Sequence, residues 1–230
     1  MAFRSLITED VIMHCNTPFL PLEPTTEYQK NYINIVSARP RVGPITADLF
    51  SARWLTHLCK IQPRFICRPE EKEIFKNLSM YFSGNVGTYD LDKSIYLYGP
   101  PGTGKTLVFR SLQNTLASFK TPLRIVNVPS LVAQMMADNH VNLPSVVAKT
   151  DFVLDDAGAE GFMKVFGTDV NLVADLVMLA YEKIPQKMHI TTNLTPDEMS
   201  HHRGFSSRQK SRMNEMYNIV RLCGADHRIK

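Results

Sequence analysis

The segment Gly99–Thr106, which reads GPPGTGKT, constrains the fold more than any other feature of this chain. It matches the pattern G-x-x-x-x-G-K-[ST], in which glycines bring backbone N–H groups against phosphate oxygens and a lysine reaches the terminal phosphates. The apolar run Ser94–Tyr98 precedes it and a helical stretch begins at Lys105. The motif therefore lies between a predicted strand and a predicted helix, whose positive N-terminal end favours the same anion. This context predicts a nucleoside triphosphate site.

The predicted site includes the whole loop and the start of the following helix. We expect contacts to the nucleotide from Gly99, Pro100, Pro101, Gly102, Thr103, Gly104, Lys105, Thr106 and Leu107. Lys105 can reach the β- and γ-phosphates, and the Thr106 hydroxyl can bind Mg²⁺. ATP and Mg²⁺ are therefore the expected cofactors.

Short apolar runs alternate with longer helical stretches after residue 93, and this rhythm predicts the fold class. Strands are expected at Ser94–Tyr98, Arg124–Val128, Asp151–Asp155, Met188–Thr192 and Asn218–Cys223, and helices over Lys105–Phe119, from Ser130, and over Thr168–Lys183. Strands separated by helices are typical of parallel sheets that are covered on both faces. The sequence predicts a three-layer α/β/α core around a mostly parallel five-stranded sheet.

The first 45 residues are not expected to form regular helices, because prolines interrupt any helical period there. Two helices are expected to follow, over Thr46–Ile61 and from Glu70 to about Phe82. We expect a small N-terminal region with a linker over residues 1–68, and the α/β domain over residues 69–230.

Composition excludes several classes of protein. A hydrophobic fraction of 44% and a charged fraction of 21% are ordinary for globular chains and exclude wholesale disorder. No apolar stretch approaches the roughly 18 residues of a membrane span, and the first residues lack a secretory apolar region. The four cysteines form no CxxC pair, which favours reduced thiols over a zinc site. We expect no membrane partner and a cytoplasmic location.

Two carboxylates end the third predicted strand. Asp155 and Asp156 follow the apolar run Phe152–Leu154. A phosphate-loop protein needs one acid near Mg²⁺ and another to orient or deprotonate the attacking water. We assign Asp155 to the metal and Asp156 to the water, with Glu160 as a lower-ranked substitute for Asp156.

Polar and basic residues near the C-terminus leave alternatives open. Asn193, at the end of the fourth strand, either contacts the attacking water or γ-phosphate, or forms a turn before a helix. Arg208 and Arg212 lie four residues apart, on one helical face. They are candidates for contacts to DNA phosphates or to a neighbouring subunit's ATP, or they form a solvated basic face. Arg228 is a further candidate phosphate contact or an ordered tail residue.

With these residues collected, the sequence resembles the DnaC/IstB-like family of AAA+ ATPases, which comprises bacterial and phage helicase loaders and transposition helpers. The resemblance covers roughly residues 93–230 and is carried by GPPGTGKT at Gly99–Thr106, VLDDAGAE at Val153–Glu160, HITTNL at His189–Leu194 and SRMNEMYNIVRLCGADHR at Ser211–Arg228. The last stretch is the most discriminating, because many AAA+ branches share the others.

The resemblance implies a role for each matching residue. Lys105 and Thr106 become Walker A residues, Asp155 and Asp156 Walker B residues, Asn193 sensor 1, Arg212 the arginine finger with Arg208 as second choice, and Arg228 a sensor-2-like residue. The chain ends 18 residues after Arg212, so a C-terminal helical lid is not expected.

The resemblance also implies a function. It is that of a helicase loader, an ATP-dependent DNA replication factor that binds ATP and single-stranded DNA and delivers or remodels a replicative ring helicase. The protein would form a homo-oligomer with ATP at subunit interfaces, in a bacterial cell or a phage-infected host. Residues 1–68 would bind the partner, and Lys149 would be a candidate DNA contact. The alternatives are an IstB-like transposition helper that assembles on duplex DNA and stimulates a transposase, a non-catalytic adaptor, and a solitary small-molecule kinase with its nucleotide site complete within one monomer.

Overall fold

The protein, represented here by a computed structural model, is described over residues 45–63, 65–138, 150–159, 163–165, 168–183, 186–202 and 204–224. All of these residues fall within one compact unit, Arg39–Lys230. Its helices are α1 (Ala47–Ile61), α2 (Pro69–Phe82), α3 (Lys105–Ser118), α4 (Val128–Asp138), α5 (Leu172–Lys183), α6 (Pro196–His202) and α7 (Ser207–Met216). Its strands are β1 (Ser94–Tyr98), β2 (Arg124–Asn127), β3 (Phe152–Ala157), β4 (Met163–Val165), β5 (Thr168–Val170), β6 (Met188–Thr192) and β7 (Tyr217–Arg221).

Five strands form one sheet in the order β2-β3-β6-β1-β7, and all four neighbouring pairs are parallel. The register places Tyr96 of β1 opposite Ile190 of β6 and Ile219 of β7. Because the strands are parallel, the segments that follow β1, β3 and β6 meet at one edge of the sheet, where ligands bind in open α/β folds. The predicted five-stranded parallel sheet is confirmed.

The hydrophobic core lies on both faces of this sheet. On one face, side chains of alternate strand positions pack against α4, α5, α6 and α7; they include Tyr96, Leu154 and Ile190. On the other face, the intervening positions pack against α1, α2 and α3; they include Ile95, Leu97 and Val153. Each fully buried aliphatic side chain contributes about 1.5–3 kcal/mol. The predicted three-layer α/β/α arrangement is therefore confirmed.

Helix α1 packs on α3, the helix that follows the glycine-rich loop. Thr46 caps its start by accepting a hydrogen bond from the N–H of Leu49 at 3.3 Å. Its buried face repeats every four residues at Phe50, Trp54 and Leu58, the spacing of one helical face. Trp54 also donates from Nε1 to a serine hydroxyl of α3 at 2.7 Å. Residues 47–61 thus share the core of the α/β domain, whereas the partner-binding role expected for residues 1–68 stays a prediction.

The helix predicted over Thr168–Lys183 is wrong at its start. Residues 168–170 form β5, which pairs antiparallel with β4, with Val165 opposite Thr168. The β-branched Thr168 and Val170 favour a strand. Helix α5 begins at Leu172, after Asn171 accepts a hydrogen bond from the N–H of Ala174 at 3.2 Å, as a helix N-cap does.

Within the described ranges, no helix is both long enough and apolar enough to cross a membrane.

Candidate nucleotide site

The glycine-rich loop leaves β1 at Tyr98 and enters α3 at Lys105, as the sequence predicts. Gly99 lies against the chain that follows β7: a Cβ at this position would lie 2.1 Å from the carbonyl oxygen of Leu222. Gly104, the residue before α3, has a φ of 89°, in the left-handed region that favours glycine. The two glycines therefore hold the loop against the sheet and turn it into the helix.

Lys105 is folded back onto this loop. Its Nζ donates to the carbonyl oxygens of Gly99 and Pro100, at 2.8 Å each. The side chain is only 5% exposed, so these carbonyls stabilise a charge that burial would otherwise penalise. An incoming phosphate would compete for the same ammonium group.

Asp155 is the centre of a buried polar cluster. Its Oδ1 accepts hydrogen bonds from the hydroxyls of Thr106, at 2.9 Å, and of Thr191, at 2.6 Å. The side chain is 2% exposed, and burial raises the pKa of Asp155 above its ordinary value, while both hydroxyls act to lower it. The structure thus brings together the two residues that the sequence assigns to the metal, Thr106 and Asp155.

Asp156 projects differently from Asp155. The register between β3 and β6 shifts between Leu154 and Ala157, and Asp156 has a φ of 58°. Aspartate is one of the few residues that enter the left-handed region readily. The Asp156 side chain is half-buried. The carboxylates of Asp155 and Asp156 can therefore take separate roles, as predicted from the sequence.

Thr191 links the two aspartates and was not singled out from the sequence. Its Oγ1 donates to Asp155 and accepts from the N–H of Asp156 at 3.0 Å. It is fully buried on β6. The available signal was a hydroxyl residue within the strand MHITT, because a buried hydroxyl needs a hydrogen-bond partner.

Asn193 follows β6 directly and is exposed at the same edge of the sheet. The turn-forming alternative places Asn193 before a helix start at Thr195 and Pro196, and α6 does begin at Pro196. Its cap is formed by Thr195 and Glu198: the Thr195 N–H donates to Glu198 Oε2 at 2.8 Å, and the Glu198 N–H donates to Thr195 Oγ1 at 3.2 Å. The cap does not use the Asn193 side chain, so the turn and the sensor role both stay predictions.

Both candidate finger arginines lie on α7, whose start is capped by Ser206 and Gln209. Arg208 is exposed, whereas Arg212 is half-buried. The guanidinium carbon of Arg212 lies 3.4 Å from the ring centroid of Tyr181 on α5. The structure thus places Arg212 against α5. Arg228, Glu160 and Lys149 lie outside the described residues.

The site combines a glycine-rich loop between a strand and a helix with a lysine, a threonine and a buried aspartate at the carboxyl edge of a parallel sheet. This combination defines a P-loop nucleoside triphosphatase. Sequence comparisons narrow this class. The family described as "ATPase family associated with various cellular activities (AAA)" matches residues 95–158. The replicative helicase loader DnaI of Bacillus subtilis (strain 168) is 31% identical over 121 residues, which are 50% of this chain and 38% of DnaI. These two likenesses support a nucleotide-binding AAA-type core over residues 95–158.

Solved structures show the same fold. A crystal structure of the DnaC helicase loader superposes with a TM-score of 0.54 and 15% identity, covering 75% of this chain and 99% of that one. A crystal structure of DnaI superposes with a TM-score of 0.51 and 21% identity, covering 74% and 88%. In sequence, however, the chain spans well under two thirds of the length of its curated relative DnaI.

Proposed function

We propose that the protein is a helicase loader, an ATP-dependent replication factor that delivers a replicative ring helicase onto single-stranded DNA. The resemblance to a replicative helicase loader over half of the chain supports the biological role. The observation that carries the chemical part is the buried Asp155, held by two hydroxyls beside the loop. Burying a carboxylate costs free energy. The buried carboxylate suits a metal-bound nucleotide, and its combination with Asp156 and Asn193 favours hydrolysis over a non-catalytic adaptor.

The loop residues would hold the triphosphate. Backbone N–H groups of Gly102–Thr106 and the N-terminus of α3 would face the anion. Lys105 would exchange its bonds to the Gly99 and Pro100 carbonyls, at 2.8 Å each, for bonds to phosphate oxygens. Oxygen atoms would therefore accept hydrogen bonds from the Lys105 ammonium group both before and after ATP binds.

Thr106 and Asp155 fit Mg²⁺, which is usually held by one or two carboxylates together with substrate oxygens and water. When bound, Mg²⁺ neutralises charge on the β- and γ-phosphate oxygens. Burial disfavours the charged form of Asp155 and raises its pKa. A cation beside it would favour ionisation, so the carboxylate is matched to a positively charged neighbour.

Asp156 and Asn193 would act on the attacking water. The Asp156 backbone is fixed by its bond to Thr191, and its carboxylate would orient the water or accept its proton. Asn193, at the end of β6, would donate to the water or to the γ-phosphate. Arg212 of a neighbouring copy would stabilise charge developing in the transition state, and Arg228 would be a further phosphate contact.

ATP would therefore bind between subunits of a homo-oligomer. Binding would hold the oligomer in the form that grips the helicase and single-stranded DNA, and hydrolysis would release it. Lysine and arginine side chains would contact the DNA backbone, with Lys149 as the candidate named from the sequence.

A reconstitution with the replicative ring helicase of the same organism tests this function. Helicase transferred to circular single-stranded DNA is measured with ATP and the wild-type protein, the Lys105→Ala variant or the Asp156→Asn variant. We expect transfer by the wild type, no complex with Lys105→Ala, and a complex that persists with Asp156→Asn. No transfer by the wild type, together with ATP-dependent binding to duplex DNA and a transposase, would favour the transposition helper instead.

A further inference from the structure

Three residues on α5 and α7 form a connected unit. The Arg212 guanidinium stacks on the Tyr181 ring, with 3.4 Å between its central carbon and the ring centroid. The hydroxyl of Tyr181 donates to Glu215 Oε2 at 3.2 Å. Glu215 lies three residues after Arg212, so both α7 side chains are next to each other on the helix. Tyr181 therefore contacts both of them from the facing helix.

Stacking fixes an arginine without occupying its hydrogen-bond donors. The guanidinium is planar and carries five N–H donors at its edges, while a ring contact uses only its face. Among the described residues, the Arg212 guanidinium has no hydrogen-bond or ion-pair partner, and its contact is with the face of the Tyr181 ring. Glu215, the nearby carboxylate, instead accepts from the Tyr181 hydroxyl.

The plane of the Arg212 guanidinium is therefore fixed by the ring, while its N–H donors remain available. A carboxylate partner would have taken up those donors in a charge-assisted pair. The best match for a planar set of exposed donors is an anion with several oxygens, and phosphate is the common example. No described residue of the same chain supplies that anion to Arg212, so its donors are open to an anion of another molecule.

We propose that Tyr181 is the positioning residue for Arg212, holding its guanidinium toward the triphosphate bound by a neighbouring copy of this chain. The inference rests on the ATP-hydrolysing part of the proposed function. It also assigns the finger role to Arg212 rather than Arg208. Tyr181 itself touches no reacting atom in this scheme, and its ring acts only through Arg212.

Steady-state ATP hydrolysis tests the proposal in the full-length protein. Tyr181→Leu keeps a large apolar side chain but loses the ring, whereas Tyr181→Phe keeps the ring. We expect Tyr181→Leu to lower kcat between about 2-fold and 30-fold, the range that a cation–ring contact corresponds to. The KM for ATP and the oligomer mass should stay at wild-type values, the thermal midpoint should fall by no more than about 8 °C, and Tyr181→Phe should restore most of the turnover.

A double-mutant cycle with Arg212→Ala supplies the decisive comparison. If Tyr181 acts only through Arg212, adding Tyr181→Leu to Arg212→Ala should cause no further loss. Wild-type turnover in Tyr181→Leu, full additivity of the two losses, or wild-type turnover in Arg212→Ala would each overturn the proposal. Helicase transfer is measured separately: if the wild type transfers no helicase but the coupling is present, the loader function fails and the positioning role stands.

Discussion

Thr191 offers the sharpest perturbation of the site, because one hydroxyl contacts both aspartates. Valine has nearly the same shape, so Thr191→Val removes the hydroxyl with little change in packing. The substitution loses a hydrogen bond to a carboxylate, worth roughly 1.5–3 kcal/mol, and leaves the N–H of Asp156 without this partner, at about 1 kcal/mol. We expect the free energy of unfolding to fall by about 2.5–4 kcal/mol.

The same substitution should shift the pH dependence of hydrolysis. The Thr191 hydroxyl lowers the pKa of Asp155, against the raising effect of burial. Without it, the pKa of Asp155 rises further, and the carboxylate becomes protonated at a higher pH. Since the ionised form is the one that binds a cation, the acidic limb of the kcat/KM profile should move to higher pH.

Urea unfolding and ATP hydrolysis between pH 5 and pH 8, in a constant-ionic-strength buffer, measure both effects. Thr191→Ser is the matched control, because serine keeps the hydroxyl and loses only a methyl group. We expect Thr191→Ser to keep the wild-type acidic limb. If Thr191→Val keeps both the wild-type stability and the wild-type limb, or if serine shifts the limb as valine does, the hydroxyl does not hold the aspartates.

Three other substitutions and one control variant test the metal site, the loop and helix α1. Burial raises the folded-state pKa of Asp155, so the buried side chain destabilises the fold increasingly as pH rises through that pKa. Asp155→Asn should therefore be more stable than the wild type in thermal melts from pH 4 to pH 7. The same variant should lose hydrolysis. Gly99→Ala should abolish binding of a fluorescent ATP analogue, because its Cβ would lie 2.1 Å from a backbone oxygen. Gly84→Ala, with a φ of 75° and no atom within 4 Å of the added Cβ, should bind normally; equal binding by both variants would count against the loop geometry. Trp54→Phe should lower the free energy of unfolding by about 1–3 kcal/mol, because it loses the 2.7 Å hydrogen bond to α3. An unchanged midpoint of urea unfolding would mean that α1 does not unfold together with the rest of the domain.

The loop and the strand ends were predictable because their signals are local. Ser94–Tyr98, the glycines and Lys105 lie within a dozen consecutive residues, and their chemistry requires a strand, a turn and a helix in that order. The pair Asp155 and Asp156 follows an apolar strand in the same way. The order of the strands within the sheet was not predicted, because no local pattern fixes which strands are neighbours.

Contacts across the sheet were not predictable from one sequence. Thr191 meets Asp155 across 36 residues, and their contact depends on the register of β3 and β6. The stacking of Arg212 on Tyr181 depends in the same way on how α5 packs against α7. The β4–β5 hairpin was missed because Val170 continues the apolar spacing of the helix that follows it.

Mixing two inactive variants tests the central claim most directly. Asp156→Asn lacks the group that acts on water, and Arg212→Ala lacks the group that a neighbour would supply. We expect each variant alone to bind ATP with almost no turnover. An equal mixture should recover about a quarter of the wild-type rate, because random head-to-tail assembly pairs an intact Asp156 with an intact Arg212 at that fraction of interfaces. A mixture that assembles but stays inactive, or an Arg212→Ala protein that hydrolyses ATP normally by itself, would contradict a site completed by the adjoining copy.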